Sequence, residues 1–394
     1  MVTAIQAGWL WDGTGGAAIR DGVVLIDGER IVAAGPASAV SVPEGAETVD
    51  RGGEFVMPGL IDAHTHITII PGLGNQVGQL MQPVERQTMR GVGNLRRMLR
   101  SGVTTARIMA EEHWLDVTFK DEIERGTVIG PRLNICTRAI TQSFGHGRAL
   151  SAFDGVDEVR KAARENLYHG AEFLKLFITG GVSSTRGGGI KAASYSREEI
   201  RAAVEEADRA GTYVAAHAIG GPGIRLGVEE GIRTIEHASM ATDEDLALMK
   251  ERGAWAVLTE AILFHPTGIE QGDRDNPFIM AKLHDARAAA PERLKAIVAS
   301  GVRYSVGTDS MHGLLPFEVA KLLDWGASST DALLAATKWA AECIRMEDKI
   351  GTLEPGKLAD VISVDGNPLE EITALERVKL IVKDGKRYER LSEV

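Results

Sequence analysis

The chain has 394 residues, 44% of them hydrophobic and 25% charged. That excludes a disordered chain, which carries less apolar content and a stronger charge imbalance. The 44 Lys and Arg against 55 Asp and Glu leave a net charge of −11, which argues against a nucleic-acid partner. No apolar run approaches the ~18 residues of a spanning helix, so no membrane partner is expected. The first basic residue is Arg20, so the charged start of a secretory leader is not expected either. Cys136 and Cys343 lie far apart in apolar surroundings. They read as free buried thiols in a reducing, cytoplasmic setting.

The chain opens strand-like over residues 1–57. Val23-Val24-Leu25-Ile26 and Ile31-Val32-Ala33-Ala34 flank Asp27-Gly28, and an Asp-Gly pair between apolar runs predicts a hairpin. The closing stretch, 352–394, has the same character. Val361-Ile362-Ser363-Val364 precedes Asp365-Gly366, and Val378 to Val382 precedes Asp384-Gly385. Neither end holds enough strands for a stable sheet. Together they are predicted to form one small β-sandwich domain.

Residues 58–351 alternate short apolar runs with amphipathic helical stretches. Eight strands are predicted, over 59–66, 104–108, 133–136, 173–177, 213–217, 234–237, 255–259 and 304–308. Helical patterns lie between most of them, as over 196–210, 242–252 and 287–299. Continuous apolar strands joined by helices imply a parallel sheet covered on both faces. Eight such units match an α/β fold of the (β/α)8 TIM-barrel type. The alternative, an open doubly wound sheet, lacks a Gly-x-Gly-x-x-Gly turn after the first strand.

The first barrel strand ends in Asp62-Ala63-His64-Thr65-His66. Residues i and i+2 of a strand point to one side, so His64 and His66 can bind one metal ion. Taken alone, His-x-His is a weak signal. Three more candidate ligands end other predicted strands: His217, His237 and Asp309. In a barrel those ends share one rim, where catalytic residues collect. Lys175 interrupts the apolar run Phe173-Leu174-Lys175-Leu176-Phe177. One reading has it reaching out at a strand edge. In the other, burial lowers its pKa, and the neutral amine takes up carbon dioxide to give a carbamate able to bridge two ions.

In these features the chain resembles the amidohydrolase superfamily, in the branch of imidazolonepropionase-related proteins and Xaa-Pro-type dipeptidases. The markers are Met57-Pro58-Gly59-Leu60-Ile61-Asp62-Ala63-His64-Thr65-His66, Gly102-Val103-Thr104-Thr105, and Gly170 to Lys175. Gly307-Thr308-Asp309 and Ile350 to Asp360 complete the set. The resemblance implies a binuclear zinc centre. His64, His66 and Asp309 would hold one Zn2+, His217 and His237 the other, and an N6-carboxylysine at Lys175 would bridge them. A hydroxide shared by the ions would attack a small-molecule carbonyl, with Asp309 as general base and then acid. His146, in the loop after the third strand, would donate to the oxyanion. Imidazolonepropionases lack the bridging lysine and use one metal, so Lys175 favours the dipeptidase-like branch. A homo-oligomer is also implied.

The bond cleaved is expected to be an amide-type C–N bond of a dipeptide, N-acyl amino acid, aryl amide, urea or carbamate. A lactonase or phosphotriesterase on the same centre is the alternative. A non-catalytic scaffold is disfavoured, because all six metal positions hold competent ligands. For Arg148 and Arg186, capture of a substrate carboxylate stands beside the slightly favoured reading of plain surface charge. The glycine-rich loop 179–189 is a candidate lid.

Overall fold

The computed structural model describes residues 2–184 and 189–388. Strands β1 (Val2–Leu10), β2 (Ile19–Asp27), β3 (Arg30–Pro36) and β4 (Glu47–Pro58) open the chain. Eight central strands follow: β5 (Leu60–Thr65), β6 (Val103–Ile108), β7 (Arg132–Ile135), β8 (Leu174–Phe177), β9 (Val214–Gly220), β10 (Thr234–Met240), β11 (Trp255–Leu258) and β12 (Arg303–Val306). The chain closes with β13 (Val361–Val364), β14 (Val378–Lys383) and β15 (Lys386–Arg387).

The two ends of the chain meet where β13 pairs antiparallel with β4, Ile362 opposite Met57. The order is β15-β14-β13-β4-β1-β2-β3. By hydrogen bonding this is one seven-stranded sheet, where two layers were expected. It curls on itself. Ile31 N–H donates to Lys357 O at 2.9 Å and Ala359 N–H to Glu29 O at 2.8 Å, enclosing a core that includes Ile5, Leu10, Val24, Ile26, Val361 and Val382. The Asp384-Gly385 turn has positive φ at both residues, 51° and 73°, the backbone that lets a tight hairpin follow the strand twist. A Cβ on Gly385 would overlap the carbonyl of Gly28, so the two Asp-Gly turns touch through a position open only to glycine.

The central strands lie parallel in two arcs, β5-β6-β7 and β8-β9-β10-β11-β12. Each begins and ends within three residues of its predicted run. All residues of β5, β6, β8, β9 and β11 are buried, as strands covered on both faces require. On one side Ile140 links the arcs, donating to Lys175 O at 2.8 Å and accepting from Phe177 N–H at 3.1 Å. On the other, Asp309 N–H donates to His64 O at 2.8 Å. Gly307 sits where any side chain would overlap the His64 backbone.

Helices cover the arcs. Ser196 and Thr242 open the helices Arg197–Arg209 and Asp243–Arg252 with reciprocal capping boxes, satisfying donors the helix leaves free. The helix predicted over 287–299 is the second half of a longer one, Pro277–Ser300. Its start is set by Asn276, which accepts from the N–H groups of Phe278 and Ile279, with proline in the first turn.

Candidate active site

The C-terminal ends of the central strands converge on one cavity. His64, His66, His146, Lys175, His217, His237 and Asp309 all line it. His64 is the fifth residue of β5, and His66 follows that strand. Lys175 lies within β8, His217 within β9 and His237 within β10, while Asp309 follows β12. The rings form a chain around the cavity. His64 and His66 centroids are 5.9 Å apart, His64 and His237 4.9 Å, His217 and His237 4.6 Å, and His146 and His217 4.5 Å.

Each strand-end histidine has one nitrogen engaged by the protein. His64 Nδ1 lies 2.7 Å from Glu236 Oε2, and Glu236 takes two 2.9 Å hydrogen bonds from Arg107 Nη2. His66 Nδ1 donates to Ala110 O at 2.9 Å. His217 Nε2 donates to Gly180 O at 2.9 Å, and His237 Nδ1 meets Thr259 Oγ1 at 2.6 Å. Such partners fix the ring orientation and leave the second nitrogen for a metal. The Nε2 atoms of His64 and His66 stand 3.5 and 3.6 Å from Asp309 Oδ1. Ligand atoms of these three residues all lie within 4.8 Å of one another, a possible metal site.

The electrostatics suit ligation. Burial drives His66 and His146 each down to about 4. Burial also drives His217 and His237 well below their ordinary value. These imidazoles are therefore neutral at pH 7 and keep a lone pair. Burial alone would raise the Asp309 carboxyl. The hydrogen bond and charge of His64, with the charge of Lys175, instead hold it well below the usual carboxylate range.

Lys175 is fully buried. Its Nζ has no hydrogen-bond partner and stands 5.1 Å from the centre of the Phe177 ring. Burial brings the amine down to about 8, so a substantial neutral fraction exists near neutral pH. The edge-reaching alternative does not apply to a side chain in this position. Backbone strain concentrates at the same rim. His237, Ala238, Asp309 and Ser310 all have φ between 45° and 75°, a region costly for residues with a Cβ and frequent at functional sites.

His146 Nδ1 is buried without a partner, beside Phe177 at 5.4 Å between centroids. Arg148 is exposed and is not among the cavity's lining residues. Its charge acts on Asp154 instead. Adjacency to His146 in sequence did not carry it inward; Gly147, between the two, has φ 77°. Arg186 lies outside the described residues. The candidate lid has fixed stems: Gly180 N–H bonds Ala192 O at 3.1 Å, and Lys282 Nζ holds Gly181 O and Ser184 O at 3.2 and 3.0 Å. His312 is buried against His66 O at 2.7 Å, while His265 is half-buried, bonded to Thr267 and packed against Phe317 with centroids 5.2 Å apart.

Sequence reasoning missed Glu236 and Arg107, the buried pair behind His64. Arg107 carried the same signal as Lys175, a cation inside a buried strand. It also missed Asp62, which accepts from Thr308 N–H at 3.0 Å and Thr308 Oγ1 at 2.6 Å and so ties the His64 strand to the Asp309 turn.

Residues 55–388 match the model of the Amidohydrolase family, and the chain belongs to that family. It is 29% identical to ochratoxinase from Aspergillus niger, over 98% of this chain and 86% of that protein. It is 28% identical to imidazolonepropionase from Symbiobacterium thermophilum, over 88% and 83% respectively. Its structure superposes on the crystal structure of a Xaa-Pro dipeptidase with bound methionine in the active site. The TM-score is 0.90 at 28% identity, covering 99% of this chain and 100% of the other. The chain is thus a hydrolytic enzyme acting on carbon–nitrogen bonds, and the expected branch of the superfamily holds.

Proposed function

We propose that the chain is a binuclear zinc-dependent amidohydrolase, its two arcs closed as a (β/α)8 barrel, cleaving an amide-type C–N bond in a small molecule. The proposed substrate classes are a dipeptide, N-acyl amino acid, aryl amide, urea or carbamate. The observation that carries this reading is the unpartnered, fully buried Lys175 Nζ in a cavity also lined by four strand-end histidines and Asp309. A buried amine without a partner is costly. Carboxylation relieves that cost: the neutral Nζ forms a bond to the carbon of carbon dioxide, releases a proton and becomes a carbamate anion.

The nitrogen and oxygen donors suit zinc. His64, His66 and Asp309 would hold one ion, His217 and His237 the other, and the Lys175 carbamate both. When bound, the pair supplies a water ionised near neutral pH and a Lewis acid for the carbonyl. Asp309 has a carboxylate kept ionised by its neighbours, so it can take up a proton and pass it to the leaving nitrogen. His146, neutral and short of a partner at Nδ1, donates to the carbonyl oxygen as charge develops there. Ile69, Ile262 and Leu263 on the cavity wall exclude water and strengthen each of these interactions. A relative named as a dipeptidase supports a small amide substrate.

A panel of dipeptides, N-acyl amino acids, anilides, lactones and phosphotriesters, assayed with zinc-loaded protein, tests the reading. The highest kcat/KM is expected on an amide. Preference for esters over every amide would overturn it. The buried free thiols Cys136 and Cys343 support placing the enzyme in the cytoplasm, and we assign it a homo-oligomeric state that sedimentation would check.

A further inference from the structure

Glu260 stands apart from the metal-ligand set. It follows β11 at the head of the short helix Ala261–Phe264, is 1% exposed and lines the same cavity as His237 and Asp309. Neither of its carboxyl oxygens has a hydrogen-bond partner. The buried Glu111 on the same wall differs, since its oxygens accept from Ile67, Thr68 N–H and the Thr68 hydroxyl. The root of Glu260 is fixed, because its N–H donates to Glu318 Oε2 at 2.9 Å. Burial alone pushes its carboxyl up to about 8, and no cation of the protein offsets that burial.

A carboxyl buried without partners destabilises the folded chain. Such a group is retained at functional sites, where a ligand completes it. An arriving cation would draw this carboxyl back to its ionised form, whose two bare oxygens then accept from the charged donor. Among the described residues lining the cavity, Lys175 is the one Lys or Arg, and it belongs to the proposed metal set. Beyond that set the cavity therefore offers Glu260 no cationic partner, and Ile262, Leu263 and Ile269 give the cavity an apolar wall.

We propose that Glu260 determines specificity by receiving the protonated amino group of the substrate. The preferred amide then carries a free ammonium beside an apolar side chain. This deepens the amidohydrolase reading and rests on it. A charge-assisted contact inside a water-poor cavity is worth about a tenfold preference or more.

The test is calorimetric binding of two ligands that cannot be hydrolysed at an amide to the zinc-loaded protein. These are leucinol, which is cationic, and its neutral analogue 4-methylpentane-1,2-diol, in which a hydroxyl replaces the amine. The wild-type chain should bind the amine at least about tenfold more tightly. Glu260→Gln should lose at least that much of the ratio while its Tm stays level or rises, since an uncompensated buried carboxyl has been removed. Glu260→Asp, which retains a carboxyl group, should keep the preference for the amine. Retention of the full ratio in Glu260→Gln, or a wild-type preference for the neutral analogue, would overturn the proposal. Because binding is read without turnover, absence of amide hydrolysis would count against the hydrolase reading alone.

Discussion

At the residue scale, the side chains of the proposed metal site were legible because each breaks an apolar strand at its end or within it. His64, His66, His217, His237 and Asp309 read directly as rim residues from strand periodicity. The support behind them was not legible. Arg107 meets Glu236 across 129 residues, and no local pattern announces a partner at that distance. The pair is fully buried, and burial that would raise the Glu236 carboxyl is outweighed by Arg107 and His64, which bring it down to about 2. Removing one partner strands the other charge. Arg107→Ala is therefore expected to cost about 3–5 kcal/mol in urea unfolding. Glu236→Gln should weaken zinc binding by about 10–100-fold through the freed His64 ring, measurable by competition with a chelator.

At the element scale, strand positions followed from apolar runs, and two helices followed from Ser196 and Thr242, whose caps sit at the predicted starts. The helix beginning at Pro277 was read short because its cap, Asn276, lies in a polar stretch without apolar periodicity. The helices Val156–Tyr168 and Arg197–Arg209 show how charge joins elements. Glu206, nearly buried, binds Arg160, Arg164 and Arg209. The hydrogen bond from Arg164, followed by those from the other arginines, lowers its carboxyl to about 2 against the opposing effect of burial. A depressed carboxylate stabilises fully above its unfolded value near 4.5, and that contribution is lost as pH falls through about 2. Glu206→Gln is expected to destabilise by about 1 kcal/mol at pH 6. The gap to wild type should shrink between pH 4.5 and 2, as followed by urea melts across that range.

At the scale of the whole molecule, the sequence showed that both termini are strand-rich, and hence that they must share a sheet. It did not show that the sheet is continuous and curled, since that depends on the Gly28–Gly385 contact between distant turns. The sheet is locked to the central strands by Arg132 of β7. Its guanidinium reaches Asp360 at 2.6 Å and also pairs with Asp384, while Asp384 N–H donates to Asp360 at 3.0 Å. Arg132→Ala leaves the nearly buried Asp360 uncompensated and is expected to cost about 3 kcal/mol, read as a lower urea midpoint. An unchanged midpoint would place the joint's strength in apolar packing instead.

The most direct measurement is the metal content of the purified chain and of Lys175→Ala, taken together with amide turnover. About two divalent ions per wild-type chain are predicted. The variant should lose metal and be inactive, although its far-UV circular dichroism is unchanged. Full amide hydrolysis by protein holding less than one metal per chain would contradict the account.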